Sequence, residues 1–263
     1  MSVEAAHPSN PHSRFSDRAD AYARSRPTYP ADAIDAIVAG FSPRPGSPIL
    51  AADIGAGTGI SSRLLAQRAC RVYAIEPNAA MRARGAADSA ASGLEIEWLD
   101  AAGEATTLDD QTLDLVLCAQ SFHWLDRPRA LSEFHRILRP YARLALLWNV
   151  QDRDDPLTAG YCTIMSRHAV DMPKSPWSLP GAAADLVEDE RYAGYRALVF
   201  PHEQPLDRDG FIERALSASY APKNGQPFLA MAADLRELFD EHQREDRVVL
   251  RYKTEIHIAE RAP

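Results

Sequence analysis

Between residues 49 and 150, short apolar runs alternate with amphipathic stretches, and this rhythm constrains the fold more than any other feature of the chain. The runs ILAADI, RVYAIE, LEIEWLD, LDLVLCAQS and ARLALLWNV read as five strands. Helical patterns stand among them: GISSRLLAQRA, NAAMRARGAADSA with Asn78 as its N-cap, and PRALSEFHRIL stopped by Pro140. Strands alternating with helices of this length imply an α/β fold, a doubly wound and mostly parallel Rossmann-like sheet covered on both faces. A further helix, ADAIDAIVAGF, precedes the first strand, with Ile34, Ile37, Val38 and Phe41 at helical spacing, and it ends in the loop SPRPGSP.

After Val150 the rhythm changes. DDPLTAGYCTIMSRHAV, DRDGFIERALSAS and FLAMAADLRELFDEHQ read as helices, DMPKSPWSLPG as a Pro-rich loop, and YRALVF and RVVLRYKTEIHIAE as strands. The two late strands are expected to pair antiparallel at a sheet edge, with the helices between them forming a cap.

The chain has 263 residues, with 37 acidic against 29 basic side chains and a net charge of -8. That balance argues against a broad face for nucleic acid or a membrane surface, while leaving room for a local basic groove. Cys70, Cys118 and Cys162 form no CxxC pair, so no zinc site or disulfide framework is expected and a reducing cytoplasm fits. The first residues lack an apolar stretch of signal-peptide length, and no apolar run reaches membrane-spanning length. The expectation is a cytoplasmic protein without a metal.

Directly behind the first strand stands Gly-Ala-Gly-Thr-Gly, residues 55–59, with Asp53 two positions before it. A dinucleotide loop normally runs G-x-G-x-x-G, whereas here the third glycine comes one residue early and Ile60 follows it. No Lys-Ser/Thr pair marks a triphosphate loop. Glu76 ends the second strand, where a carboxylate can accept both ribose hydroxyls of an adenosine. A loop without a phosphate-directed cation, an acid placed for a ribose, and Asp53 nearby suit a cationic nucleoside such as S-adenosylmethionine. The residues by themselves leave NAD open as the second choice.

The segments ILAADIGAGTG, YAIEPNAAM, LDLVLCAQSFHWLD and ALSEFHRILRPYARLALLWN resemble the class I S-adenosylmethionine-dependent methyltransferases. More narrowly they resemble the small-molecule branch containing trans-aconitate methyltransferase-like proteins, as do FSDRADAYARSRPTYP, LSASY and LRYKTEIHIAER. The resemblance implies a seven-stranded sheet with an antiparallel C-terminal edge strand and a helical cap. It divides the chain into a flexible tail (1–14), an N-terminal lid with a helix (15–45), and a cofactor-binding core (46–150). A cap insertion with helices and one core strand (151–245) and the final edge strand (246–263) complete it.

By position it implies that Asp53, Gly55, Ala56, Gly57 and Gly59 approach the methionine part of the cofactor. Glu76 takes the ribose, with Pro77 and Met81 completing that part of the set. Asp100, Ala102, Gly103 and Glu104 flank the adenine. Many relatives bind the exocyclic amine with an Asp where Ala102 stands, so Asp100 or backbone groups must substitute. Gln120 lies beside the methionine tail, and Tyr22 and Arg26 belong to the lid, Arg26 pairing with the cofactor carboxylate. RPYAR replaces a Pro-Gly-Gly turn; Tyr141 and Ala142 tolerate positive φ poorly, so that turn is expected to differ.

Methyl transfer from a sulfonium is an in-line displacement, and positioning contributes about 7–11 kcal/mol to such reactions. His123, just past the fourth strand, is the candidate general base, with packing as its alternative role. Trp124, Trp148, Asn149 and Tyr220 are the candidate acceptor contacts. The expected activity is methylation of a small molecule, oxygen favoured over nitrogen or carbon, by a monomer or homodimer with no nucleic-acid or membrane partner. The competing readings are an NAD(P)-dependent oxidoreductase and a non-catalytic S-adenosylmethionine-binding protein.

Overall fold

A computed structural model describes residues 25–40, 47–170 and 179–263, with the backbone alone at 179–182. Tyr22, Phe41, Trp177, the expected tail and much of the expected lid lie outside the described residues.

Helix α1 (Ala31–Val38) precedes β1 (Ile49–Ile54), after which strands and helices alternate. These are α2 (Ile60–Ala66), β2 (Cys70–Ile75), α3 (Ala79–Ala91), β3 (Ile96–Leu99), β4 (Leu113–Ala119), α4 (Arg127–Ile137) and β5 (Leu138–Gln151). The rest is α5 (Pro156–Arg167), α6 (Leu179–Glu188), β6 (Tyr192–Leu206), α7 (Arg208–Leu216), α8 (Gly225–His242) and β7 (Val248–Arg261). The seven strands form one sheet in the order β3-β2-β1-β4-β5-β7-β6. The first five pair in parallel, and β7 runs antiparallel to both β5 and β6.

The mostly parallel seven-stranded sheet and its antiparallel edge agree with the sequence reading. The outermost place, however, belongs to β6, and the C-terminal strand lies one position inside it. Insertion of β7 between β5 and β6 gives it partners on both sides, which fits its alternating pattern of buried residues. A second difference is α6, which occupies part of the expected Pro-rich loop. Pro180 falls in its first turn, where the missing N–H breaks no helical bond.

One face of the sheet packs Ile54, Leu146 and Trp148 against Leu131, Phe134 and Ile137 of α4. The other packs Ile256 and Ile258 against Ile34 and Ile37 of α1. A third cluster joins Tyr161, Phe211, Leu235 and Phe239 to Leu250 and Tyr252. The first half of β7 therefore carries the helices of the C-terminal segment toward the carboxyl ends of the parallel strands.

The turn into β5 departs from expectation. Leu113 pairs with Leu138 but Leu115 pairs with Arg143, so the extra residues of β5 bulge out. Tyr141 sits in that bulge at φ 65° with its ring exposed. The left-handed turn is kept, and a tyrosine occupies it where the expectation was that the chain would avoid it.

Candidate functional site

Strand order reverses between β1 and β4, and open α/β sheets bind ligands beyond the carboxyl ends of such strands. Two cavities meet there.

The first is lined by Gly55, Gly57, Glu76, Asn78 and the 102–104 segment, among others. Gly55 has φ 65°, and a Cβ on it would stand 2.6 Å from that of Ser121. Only glycine lets β1 turn so close to the end of β4. Its N–H and that of Ala56 donate to Ile75 O at 2.9 and 3.0 Å, binding the loop to β2. Gly57, at φ 59°, donates from N to Glu76 Oε2 at 2.8 Å, and Asn78 N donates to Glu76 Oε1 at 2.8 Å. Burial raises the Glu76 carboxyl, opposed by these two bonds. Each carboxylate oxygen retains acceptor capacity, so Glu76 can shape the loop and still receive hydroxyl donors. Asn78 caps α3 as expected, accepting from Ala80 N and Met81 N at 3.0 and 3.1 Å.

Glu76, Pro77, Met81, Ala102, Gly103, Glu104 and Gln120 all line this cavity with the two glycines. Five of the described expected residues do not, Arg26 among them, which lines the second cavity instead. Asp53 is fully buried beneath the loop, where its Oδ2 accepts from Ser61 and Ser62 hydroxyls at 2.7 and 2.5 Å. Burial, opposed by those hydroxyls, raises its carboxyl to about 6. Ala56 is buried. Gly59, at φ 77°, is the left-handed N-cap of α2 and makes room for Trp98, 2.8 Å from its notional Cβ. Asp100 faces outward in a bidentate pair with Arg82, at 3.1 and 2.8 Å. Ala119, Ser121 and Leu125, from the same LDLVLCAQSFHWLD segment as Gln120, complete the lining and were not singled out from the sequence.

The second cavity is lined by Arg26, His123, Trp148, Asn149 and Tyr220, so the structure gathers the candidate base and the acceptor contacts in one place. Gln120 and Trp124 border both cavities. Gln120 takes φ 60°, an uncommon conformation for a residue with a Cβ and a frequent one at functional sites. Asn149 is held by Thr28 O at 2.9 Å and by the Thr254 hydroxyl at 2.6 Å. The sequence reading missed Arg153 and Arg214, which also reach this cavity.

Trp148 Nε1 donates to His123 Nδ1 at 3.2 Å. An indole nitrogen can only donate, so a neutral His123 carries its proton on Nε2. Burial, reinforced by the Arg26 charge, lowers His123 to about 3. At neutral pH the ring is therefore a hydrogen-bond donor with its acceptor nitrogen already engaged.

Among the described residues, no group of three or more His, Cys, Asp or Glu side chains could hold a metal ion. Nor is any helix among them long and apolar enough to cross a membrane.

A glycine-rich turn and an acidic strand end beside a switch point are features with which many doubly wound proteins hold nucleoside ligands. Residues 52–146 match the family model described as a methyltransferase domain. An uncharacterized methyltransferase of Mycobacterium tuberculosis is 37% identical over 139 residues, 52% of this chain and 53% of that protein. The chain thus spans about half the length of these mycobacterial relatives. An uncharacterized methyltransferase-like protein of Schizosaccharomyces pombe is 27% identical over 92% of this chain and 93% of its own. In fold, the chain is similar to a candidate type II methyltransferase of Anaeromyxobacter dehalogenans. That structure has TM-score 0.62 and 22% identity, over 90% of this chain and 97% of that one.

Proposed function

We propose that the protein is an S-adenosylmethionine-dependent methyltransferase acting on a small-molecule acceptor, with oxygen as the favoured accepting atom. The observation that carries this reading is the meeting of two chemically unlike cavities at Gln120 and Trp124. One offers a glycine cradle and two carboxylates, Glu76 and Glu104, which suit a cationic nucleoside. The other is lined by arginines and aromatic rings and contains no Asp or Glu.

In the first, Glu76 would take the ribose hydroxyls and Gly55 and Gly57 the methionine part. Ala102, Gly103 and Glu104 would frame the adenine, with backbone groups substituting for the missing Asp. Arg26 would meet the cofactor carboxylate. The cofactor, when bound, supplies a methyl group on a positively charged sulfur. The protein's share is alignment and exclusion of water, by Trp124 and Trp148 and by the 151–245 segment acting as a cap. His123 supports oxygen as the acceptor: a ring that donates and takes up no proton at neutral pH suits a nucleophile that is already ionised, such as a carboxylate.

The test is incubation with methyl-labelled S-adenosylmethionine and matched sets of carboxylic acids, phenols and amines. Labelled esters are the expected product. Label entering only amines would overturn the oxygen preference, and label entering only protein or RNA would overturn the small-molecule reading.

A further inference from the structure

Resting on the cofactor reading above, we propose that Arg214, with Arg153 at the cavity mouth, forms a subsite for a carboxylate of the acceptor. This carboxylate is distinct from the atom that takes the methyl group.

Arg214 lies on α7 with 6% of its surface exposed, and its side chain helps to line the second cavity. Its guanidinium donates from Nε to the Tyr252 hydroxyl at 3.3 Å and from Nη1 to Ser217 Oγ at 3.2 Å. Both partners are neutral hydroxyls. No carboxylate lies within ion-pair distance of Arg214 among the described residues. Elsewhere in the fold, more exposed arginines pair with acids, Arg68 with Asp35, Arg82 with Asp100, Arg139 with Asp114 and Arg191 with Asp189, while the equally buried Arg143 and Arg261 donate to backbone carbonyls away from this cavity. A guanidinium taken out of water is ordinarily matched by an anion, because an unmatched buried charge is costly.

The surroundings point the same way. Three arginines and no Asp or Glu line this cavity, in a chain whose acidic residues outnumber its basic ones 37 to 29. Ser217 joins two of the three, its carbonyl accepting from Arg26 at 3.1 Å and its hydroxyl from Arg214. The planar donor fork of Arg214 matches a carboxylate, and exposed Arg153 is placed to attract an incoming anion. The geometry therefore divides the labour: Arg26 for the cofactor's carboxylate, Arg214 and Arg153 for the acceptor's.

Calorimetric titration with glutarate and with its uncharged diamide, each in saturating S-adenosylhomocysteine, tests this. Wild type is expected to bind glutarate and not the diamide. Arg153→Gln should weaken glutarate several-fold and Arg214→Lys at least tenfold, with S-adenosylhomocysteine affinity unchanged within twofold. Arg214→Lys keeps the charge and loses the fork, and Arg153→Gln alters an exposed side chain, so neither threatens folding as deletion of Arg214 would. Equal glutarate affinity in all three proteins, or equal binding of the diamide, would overturn the proposal. So would a loss of S-adenosylhomocysteine affinity in Arg214→Lys, which would assign that guanidinium to the cofactor's own carboxylate. Wild type that binds glutarate but not S-adenosylhomocysteine would overturn the cofactor reading and the acceptor role with it, leaving an anion site alone.

Discussion

Tyr141 holds φ 65° while its ring is 68% exposed, so little packing offsets the backbone cost. A left-handed residue bearing a Cβ is about 1–2 kcal/mol less favourable than glycine there, and part of that is returned by glycine's freer unfolded chain. Tyr141→Gly is expected to raise stability by about 0.5–1 kcal/mol, read as a higher urea midpoint at unchanged slope. A lower midpoint would mean that the ring contributes packing this account does not assign to it. Asp53 shows the opposite kind of cost, in the interior. Its folded carboxyl sits near 6 against an ordinary value of 3.8, raised by burial. Between those values the native chain holds the proton and the unfolded chain releases it, so stability falls as pH rises through that window. The loss amounts to about 3 kcal/mol at the upper end. Asp53→Asn should flatten the stability profile between pH 4 and pH 6.5; an unchanged slope would contradict a raised Asp53. The sequence marks Asp53 by its place beside the glycines, but its two serine partners and its full burial become visible only once α2 is folded beneath the loop.

Helix α3 lies against Trp98 of β3 through Gly85, whose notional Cβ would stand 2.1 Å from the indole. Gly85→Ala would gain about 1 kcal/mol of helix propensity. It would also force the ring aside, at about 1–3 kcal/mol. The expected net result is a lower melting temperature, with the penalty removed when Trp98 is replaced by Phe. A gain in the single variant would show that the indole moves freely. Elements with a local signal were readable from the sequence: the strand runs of the parallel half, and the Asn78 cap with its two accepted N–H groups. The lengths of β5 and β6 were not. Residues beyond the apolar run of β5 and YRALVF are extended because partner strands continue alongside them, a non-local cause. Helix α6 was hidden by Pro180 and Gly181, which read as loop residues unless the proline is known to fall in a first turn. The outer strand β6 carries Pro201 and Pro205. Proline has no N–H and is confined to edge positions or bulges, so both disfavour a further strand pairing there. Replacing both with Val should increase self-association in sedimentation; an unchanged distribution would show that the edge is guarded otherwise.

At the scale of the molecule, the two sides of the site differed in how far the sequence disclosed them. The first cavity is built from short segments at successive strand ends, each contiguous in the chain, so the glycine loop, Glu76 and residues 102–104 could be grouped before folding. The second cavity draws Arg26, Arg153 and Arg214 from three remote segments that converge through α7, β5 and the overhang of β7. Nothing in the local sequence around Arg153 or Arg214 distinguishes them from solvated surface charges. His123 was found by position, but its tautomer depends on Trp148, 25 residues away, and no local pattern shows it. The central claim is that the first cavity is built for an adenosyl sulfonium cofactor and turns on Glu76. Calorimetric titration of wild type and Glu76→Ala with S-adenosylhomocysteine and with NADH tests it most directly, with the melting temperature of each protein recorded alongside. Wild type is expected to bind S-adenosylhomocysteine in preference to NADH, and the variant to stay folded and bind it at least tenfold more weakly. Tighter binding of NADH, or S-adenosylhomocysteine affinity untouched by the loss of Glu76, would contradict it.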